Sequence, residues 1–151
     1  MVFTARAFAG KHYAVLGLAG SGLATVAALL ASGARVTAWD DKEEARAMAP
    51  AGAELEDFVG GDLSRFDSIV VTPGLPLNRH PFASQAKEAG VEIIGDIELF
   101  ARARPELPPH KVVGITGTNG KSTTTALIHH ILKTAGVPTE MGGNIGLPIL
   151  A

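Results

Sequence analysis

The chain has 151 residues, 46% of them hydrophobic and 19% charged, with a formal net charge of −2. That length suits one domain, or one domain with part of another, and the near-neutral charge leaves no basic footprint for nucleic acid. The absence of cysteine excludes a disulfide framework and thiolate metal sites and agrees with a cytoplasmic setting.

The first ten residues lack the apolar run and cleavage pattern of a secretory signal. Residues 12–34 contain no Asp, Glu, Lys or Arg, a length that would span a bilayer. Gly17, Gly20 and Gly22 would weaken a membrane helix there, and the preceding Tyr-Ala-Val-Leu suits a buried strand. The segment is therefore expected to be a strand over 12–17, a glycine turn, and a helix over 21–32 ended by Gly33, with no membrane span. A second strand is expected at 35–39, ending at Asp40 and Asp41. Residues 42–48 are charged and expected to be a solvated helix. A short strand near 53–55 and a helical turn near Leu63 follow. Further expectations are a strand over 68–72, a helix over 81–89, a strand over 91–94 and a helix over 97–103 with Asp96 as its N-cap. Apolar strands alternating with helices imply an α/β fold with a parallel sheet covered on both faces.

Residues 102–110 hold three prolines in nine positions, a composition that suits a linker. A new unit is expected beyond it: a strand over 111–116, a glycine loop, a helix over 121–135, and turn structure over 136–148. The expected division is thus a domain over 1–101, the linker 102–110, and a second unit over 111–151. His129 and His130 are adjacent on the helix, so they point apart and make a poor metal pair.

The glycine loop of the second unit lies in GITGTNGKSTTT at 114–125. Apolar strand, glycines, lysine, hydroxyl residues and helix coincide there. Glycines let backbone N–H groups turn inward onto phosphate oxygens, and the helix N-terminus adds about half a positive charge. Lys121 is placed to reach the β- and γ-phosphates and the Ser122 hydroxyl to ligate Mg²⁺, with Thr123 a second candidate beside the metal. The general pattern would want a glycine at Ile115; Gly114 comes one position early.

The other glycine loop, GLAGSG at 17–22, follows the first strand and opens the first helix. A dinucleotide fingerprint would have glycine at its third position, where this chain has Ala19. Asp40 ends the second strand, where a carboxylate can accept from a ribose hydroxyl or a base N–H. A diphosphate-containing ligand fits the loop, but NAD and other nucleotides are not separated by it. Close helix–strand packing without a ligand is the plainer alternative.

Several stretches carry a family resemblance. The loop at 114–124 and GGNIGLP at 142–148 resemble the phosphate loop and its sequel in the Mur ligases, which build the peptide of the peptidoglycan precursor with ATP. The loop alone would also admit the folylpolyglutamate synthases. LGLAGSGL at 16–23, TPGL at 72–75 and GDIELF at 95–100 point to the branch of the family that adds D-glutamate to UDP-N-acetylmuramoyl-L-alanine. The resemblance implies a Rossmann-like first domain that holds the UDP substrate. The opening of the ATP-binding domain would follow, the chain stopping before the family's remaining catalytic groups and third domain, so that it would be inactive alone.

Carried over by position, the resemblance places Gly20 and Ser21 on the pyrophosphate and Asp40 on uracil, with Asp41 and Lys42 beside it. The family often has a hydroxyl residue and an Arg at those last two positions. Gly74 and Asn144 would approach the pyrophosphate and muramoyl region. Gly117, Thr118, Asn119, Gly120, Lys121, Ser122 and Thr123 would bind ATP, Lys121 acting in catalysis and Ser122 on Mg²⁺. No nucleic acid, membrane or obligate protein partner is implied. The competing reading is a module that binds NAD(P) or another nucleotide without ligase chemistry.

Overall fold

A computed structural model describes residues 2–73 and 82–151. After a 3-10 turn at Arg6–Phe8 come five strands and four helices, alternating except that β3 leads to β4 through a loop: β1 His12–Leu16, α1 Gly20–Ala31, β2 Arg35–Trp39, α2 Glu43–Ala47, β3 Glu54–Leu55, β4 Ser68–Val71, α3 Phe82–Glu88, β5 Glu92–Ile94 and α4 Asp96–Ala103. All pairings are parallel, and the order across the sheet is β3-β2-β1-β4-β5. The strands thus run outward from β1 in one direction and then resume on its other side.

Side-chain alternation along the central strands divides the core in two. Tyr13, Val15, Val36, Ala38 and Val70 point to one face, where Val26 and Leu29 of α1 and Leu99 and Ala103 of α4 cover them. Ala14, Leu16, Ile69 and Val71 point to the other, beneath Phe82 and Ala86 of α3 and the rings of Phe58 and Phe66. Because both faces are buried, the strands read as continuous apolar runs. α1 is 12 residues long and leads into Gly33 at φ +81°. No helix among the described residues is long and apolar enough to cross a membrane, so residues 12–34 are strand, turn and packed helix, as expected. Leu63 lies beside a turn and not in a helix.

Two further expectations fail. Asp96 is the first residue of α4 and not its cap: Gly95 takes that position, and the Asp96 carboxylate accepts from the Ile97 N–H at 2.9 Å. Residues 111–116 form no strand. They pair with no neighbour among the described residues, and Val112 and Val113 are exposed. A strand exists only where a second backbone takes up its N–H and C=O groups, and apolar sequence cannot supply that partner.

The proline stretch is fastened to the first domain. Arg104–Glu106 forms a 3-10 turn, and the two Glu106 oxygens accept from the Arg6 and Ala7 N–H groups at 2.7 and 2.8 Å. The His110 ring lies against Phe100. Beyond it, α5 spans Lys121–Thr134 with no buried residue. A closed turn follows, with a bridge between Gly142 and Leu147. Leu150, near the end of the chain, is buried in the core face that α1 and α4 cover.

Candidate functional site

In a sheet of this order, ligands lodge beyond the carboxyl ends of the strands where the winding reverses. Here that point lies between β1 and β4. The Thr72 N–H and hydroxyl both donate to the Leu16 carbonyl, at 3.1 and 3.3 Å, and join the two strand ends.

The three glycines of the first loop have separate duties. Gly17 has φ +96°, and a Cβ on it would lie 2.2 Å from Thr72 Oγ1. A Cβ on Gly22 would lie 1.9 Å from the Gly17 carbonyl oxygen, whereas one on Gly20 would meet nothing within 4 Å. Gly17 and Gly22 are therefore demanded by the turn and by packing, and Gly20 opens outward. Ala19 is the N-cap of α1 and offers no side-chain hydrogen bond. The first amides of a 12-residue helix thus face the crevice with no side-chain acceptor, an arrangement suited to an anion. Ser21 sits in that first turn, its carbonyl accepting from the Thr25 hydroxyl.

Asp40 closes the loop from the end of β2. Its Oδ2 accepts from the Leu18 N–H at 2.7 Å and its Oδ1 from the Lys42 N–H at 2.9 Å. Partial burial works against its charge. The two amides and the nearby Lys42 and Arg46 charges outweigh that and hold its pKa below the usual carboxylate value. The carboxylate is therefore ionised and fixed in place at neutral pH. Asp41 and Lys42 follow it, with both side chains exposed.

Sequence reasoning missed what holds Asp40 there. Arg46 Nη1 donates to the carbonyls of Asp40 at 2.7 Å and Asp41 at 3.0 Å, and the guanidinium lies 4.4 Å from the centre of the Trp39 ring. Residues 42–48 read only as a charged helix; an Arg one short helix after a Trp-Asp strand end was the available signal.

The second loop stands apart. Gly117 has φ +150° and Gly120, the N-cap of α5, has φ +72°, both backbone states that favour glycine. Gly117 thus supplies the conformational freedom that Ile115 cannot. Lys121 folds back over the loop and its Nζ donates to the Gly117 carbonyl at 2.5 Å. Thr118, Asn119, Ser122 and Thr123 are exposed around it, and α5 has no side-chain cap. An uncapped 14-residue helix with a lysine and hydroxyls in its first turn is a fitting donor set for a polyphosphate and its Mg²⁺. His129 is half-buried and His130 exposed farther along α5.

The structure thus sets the first glycine loop, with Gly20 and Ser21 at the start of α1, beside the β2 end that carries Asp40, Asp41 and Lys42, and leaves residues 117–123 exposed at the start of α5. Among the described residues no hydrogen bond or ion pair joins the two groups. Asn144 lies exposed on the turn closed by the Gly143 N–H to the Leu147 carbonyl at 2.9 Å. Gly74 lies outside the described residues.

Residues 11–95 match the family described as Mur ligase MurD-like, N-terminal domain. The chain is 69% identical over 150 residues to the UDP-N-acetylmuramoylalanine–D-glutamate ligase of Sphingopyxis alaskensis, covering 99% of this chain and 35% of that protein. Proteins of the same name from Novosphingobium aromaticivorans and Zymomonas mobilis are 62% and 56% identical, again over 99% of this chain, with 34% and 37% of their own lengths covered. The chain therefore spans about a third of the length of these relatives.

Proposed function

The chain belongs to the Mur ligases, in their MurD-like family, and from that premise we propose that it supplies the substrate-binding domain and the ATP loop of a D-glutamate-adding ligase. The observation that carries the proposal is that similarity to D-glutamate ligases runs over 99% of the chain, through both glycine loops. On this reading residues 1–101 form a Rossmann-like domain for UDP-N-acetylmuramoyl-L-alanine, 102–110 link, and 111–151 open the ATP-binding domain. The setting is cytoplasmic, where ATP and nucleotide sugars are available.

At the first crevice, the amides of Gly20 and Ser21 would hold the pyrophosphate at the positive end of α1. Asp40 would accept the uracil N–H; its two oxygens already take one amide each, and a carboxylate has room for about four donors. Asp41 and Lys42 would flank the nucleoside, and Gly74 and Asn144 would reach toward the pyrophosphate and muramoyl groups. The open space at Gly20 supports close approach by a ligand. An NAD(P) module without ligase chemistry is the competing reading; Ala19 in the fingerprint and the second glycine loop weigh against it.

At the second glycine loop, residues 117–123 would cradle ATP. Lys121 would exchange the Gly117 carbonyl for β- and γ-phosphate oxygens. The Ser122 hydroxyl would hold Mg²⁺, with Thr123 beside it, and the metal would supply charge neutralisation. A carboxylate is a poor electrophile because its charge repels a nucleophile. Transfer of the γ-phosphoryl group to the L-alanyl carboxylate removes that charge and creates a leaving group. The amine of D-glutamate then attacks, and phosphate departs from the acyl phosphate. The burden on this chain is to align the groups and neutralise charge at Lys121 and the loop amides.

The test is a chimera in which this chain replaces the corresponding third of the Sphingopyxis alaskensis ligase. Phosphate release that requires ATP, Mg²⁺, UDP-N-acetylmuramoyl-L-alanine and D-glutamate together is expected, with none from the 151-residue chain alone. A folded chimera that releases no phosphate under those conditions would overturn the proposal.

A further inference from the structure

α2 contributes no buried residue, yet the turn that leads into it carries the Asp40 carboxylate. Half-buried Ala45 packs α2 against the core and Trp39 packs against the opposite core face, but the turn between them is held by polar contacts. From the loop side, the Gly17 N–H donates to the Trp39 carbonyl at 2.8 Å and the Leu18 N–H to Asp40 Oδ2 at 2.7 Å. From the helix side the grip is Arg46: a single nitrogen, Nη1, takes the carbonyls of Asp40 and Asp41, and the guanidinium is braced against the Trp39 ring. Residues 39 to 41 are thus held between the glycine loop on one side and the Arg46 side chain on the other.

We propose that Arg46 is a positioning residue of the nucleotide crevice, holding the β2–α2 turn so that Asp40 is already aimed at the loop when a uridine nucleotide arrives. This deepens the reading of the first crevice as a UDP site and rests on it. The physical reason is preorganisation: a carboxylate held by a rigid turn loses little freedom on binding, whereas one on a loose turn must be ordered at the expense of affinity. Arg46 is not among the buried core residues, and the Trp39 ring it lies against is only partly buried at the edge of the core, so the fold is expected to survive its removal. The arrangement also brings its own reporter, since Trp39 is the chain's single tryptophan and lies against the guanidinium.

UDP titrated into the 151-residue chain, followed by Trp39 fluorescence, tests the proposal beside a thermal melt and the amide NMR signal of Leu18. Arg46→Ala is expected to weaken UDP binding by about tenfold, an effect in scale with losing a charge-assisted contact. The melting midpoint should stay near that of the wild type and the Leu18 amide should move as the Asp40 carboxylate drifts. Arg46→Lys should recover most of the affinity, because one nitrogen makes both carbonyl contacts. Equal UDP affinity in wild type and Arg46→Ala would overturn the role of Arg46 while leaving the crevice a UDP site. A loss of affinity matched by collapse of the melting midpoint would make Arg46 a stability residue and overturn its positioning role. Absence of UDP binding by the wild type would overturn the UDP reading and this inference with it.

Discussion

Gly20 and Gly22 sit two positions apart in the same loop, and alanine at each should do opposite things. At Gly22 the added carbon would lie 1.9 Å from the Gly17 carbonyl oxygen and 2.9 Å from its carbon. The obstacle is backbone, so the start of α1 must move by about 1 Å away from the end of β1. Overpacking costs roughly 1–3 kcal/mol and more where nothing flexible can yield, while alanine returns roughly 0.5–1 kcal/mol by restricting the unfolded chain. A net loss of about 2–3 kcal/mol corresponds to a fall in melting midpoint of roughly 10–20 °C for a domain of this size. At Gly20 nothing lies within 4 Å and the residue is helical, so Gly20→Ala should melt at or slightly above the wild-type temperature. If the crevice is the proposed UDP site, its methyl group would occupy the space the pyrophosphate needs, and UDP affinity should fall by about tenfold or more, or at least about 1.4 kcal/mol. Circular dichroism melts and UDP titrations on both variants decide the matter. A Gly22→Ala protein that melts within a few degrees of the wild type, or a Gly20→Ala protein that binds UDP unchanged, would refute the division of labour.

In the chimeric ligase, Lys121→Ala should depress turnover by several kcal/mol of barrier, on the scale of roughly 3–4 kcal/mol for one lost oxyanion donor. Asp40→Ala should mainly raise the KM for the UDP substrate, and steady-state kinetics on the pair would expose a reversed assignment. At the amino ends of β4 and β5, Arg102 holds Glu92 through two contacts at 2.6 and 2.9 Å while Ser68 donates to the same carboxylate at 2.6 Å. The Arg102 and Ser68 hydrogen bonds lower the Glu92 pKa to about 2. That stabilisation is present above the unfolded carboxyl pKa and is lost as pH falls from about 4.5 toward about 2. Because the pair is partly exposed, Arg102→Met should cost only about 1 kcal/mol at pH 7, and the difference in urea stability should shrink by pH 3. Glu106→Gln replaces one of two acceptor oxygens with a donor, so hydrogen exchange at the Arg6 and Ala7 amides should quicken; unchanged protection there would remove the fastening role of Glu106.

The sheet was largely legible because its strands are buried on both faces. Tyr-Ala-Val-Leu and Ser-Ile-Val-Val are apolar at every position or nearly so, and glycine turns bound the first helix at both ends. The meeting of the first glycine loop with Asp40, through the Leu18 N–H, was legible for a related reason: a glycine turn after one strand and an acid at the end of the next lie close when the strands are parallel neighbours. Periodicity could not show which glycine is packed and which is open, since that depends on Thr72 and the Gly17 carbonyl arriving from elsewhere. Nor could it show Arg46, whose partners are backbone carbonyls that any sequence possesses. Residues 111–116 misled because Val112, Val113 and Ile115 make a persuasive strand, while strand formation is a property of two segments.

Competitive binding of UDP-N-acetylmuramoyl-L-alanine and NAD to the 151-residue chain bears most directly on the first crevice as the seat of a ligase's nucleotide substrate. Trp39 fluorescence would report the titration, with Gly20→Ala as the control for binding at the loop. The UDP substrate should bind more tightly than NAD, and Gly20→Ala should weaken it. NAD binding more tightly than the UDP substrate, with the same sensitivity to Gly20→Ala, would contradict the assignment and favour a dinucleotide-binding module.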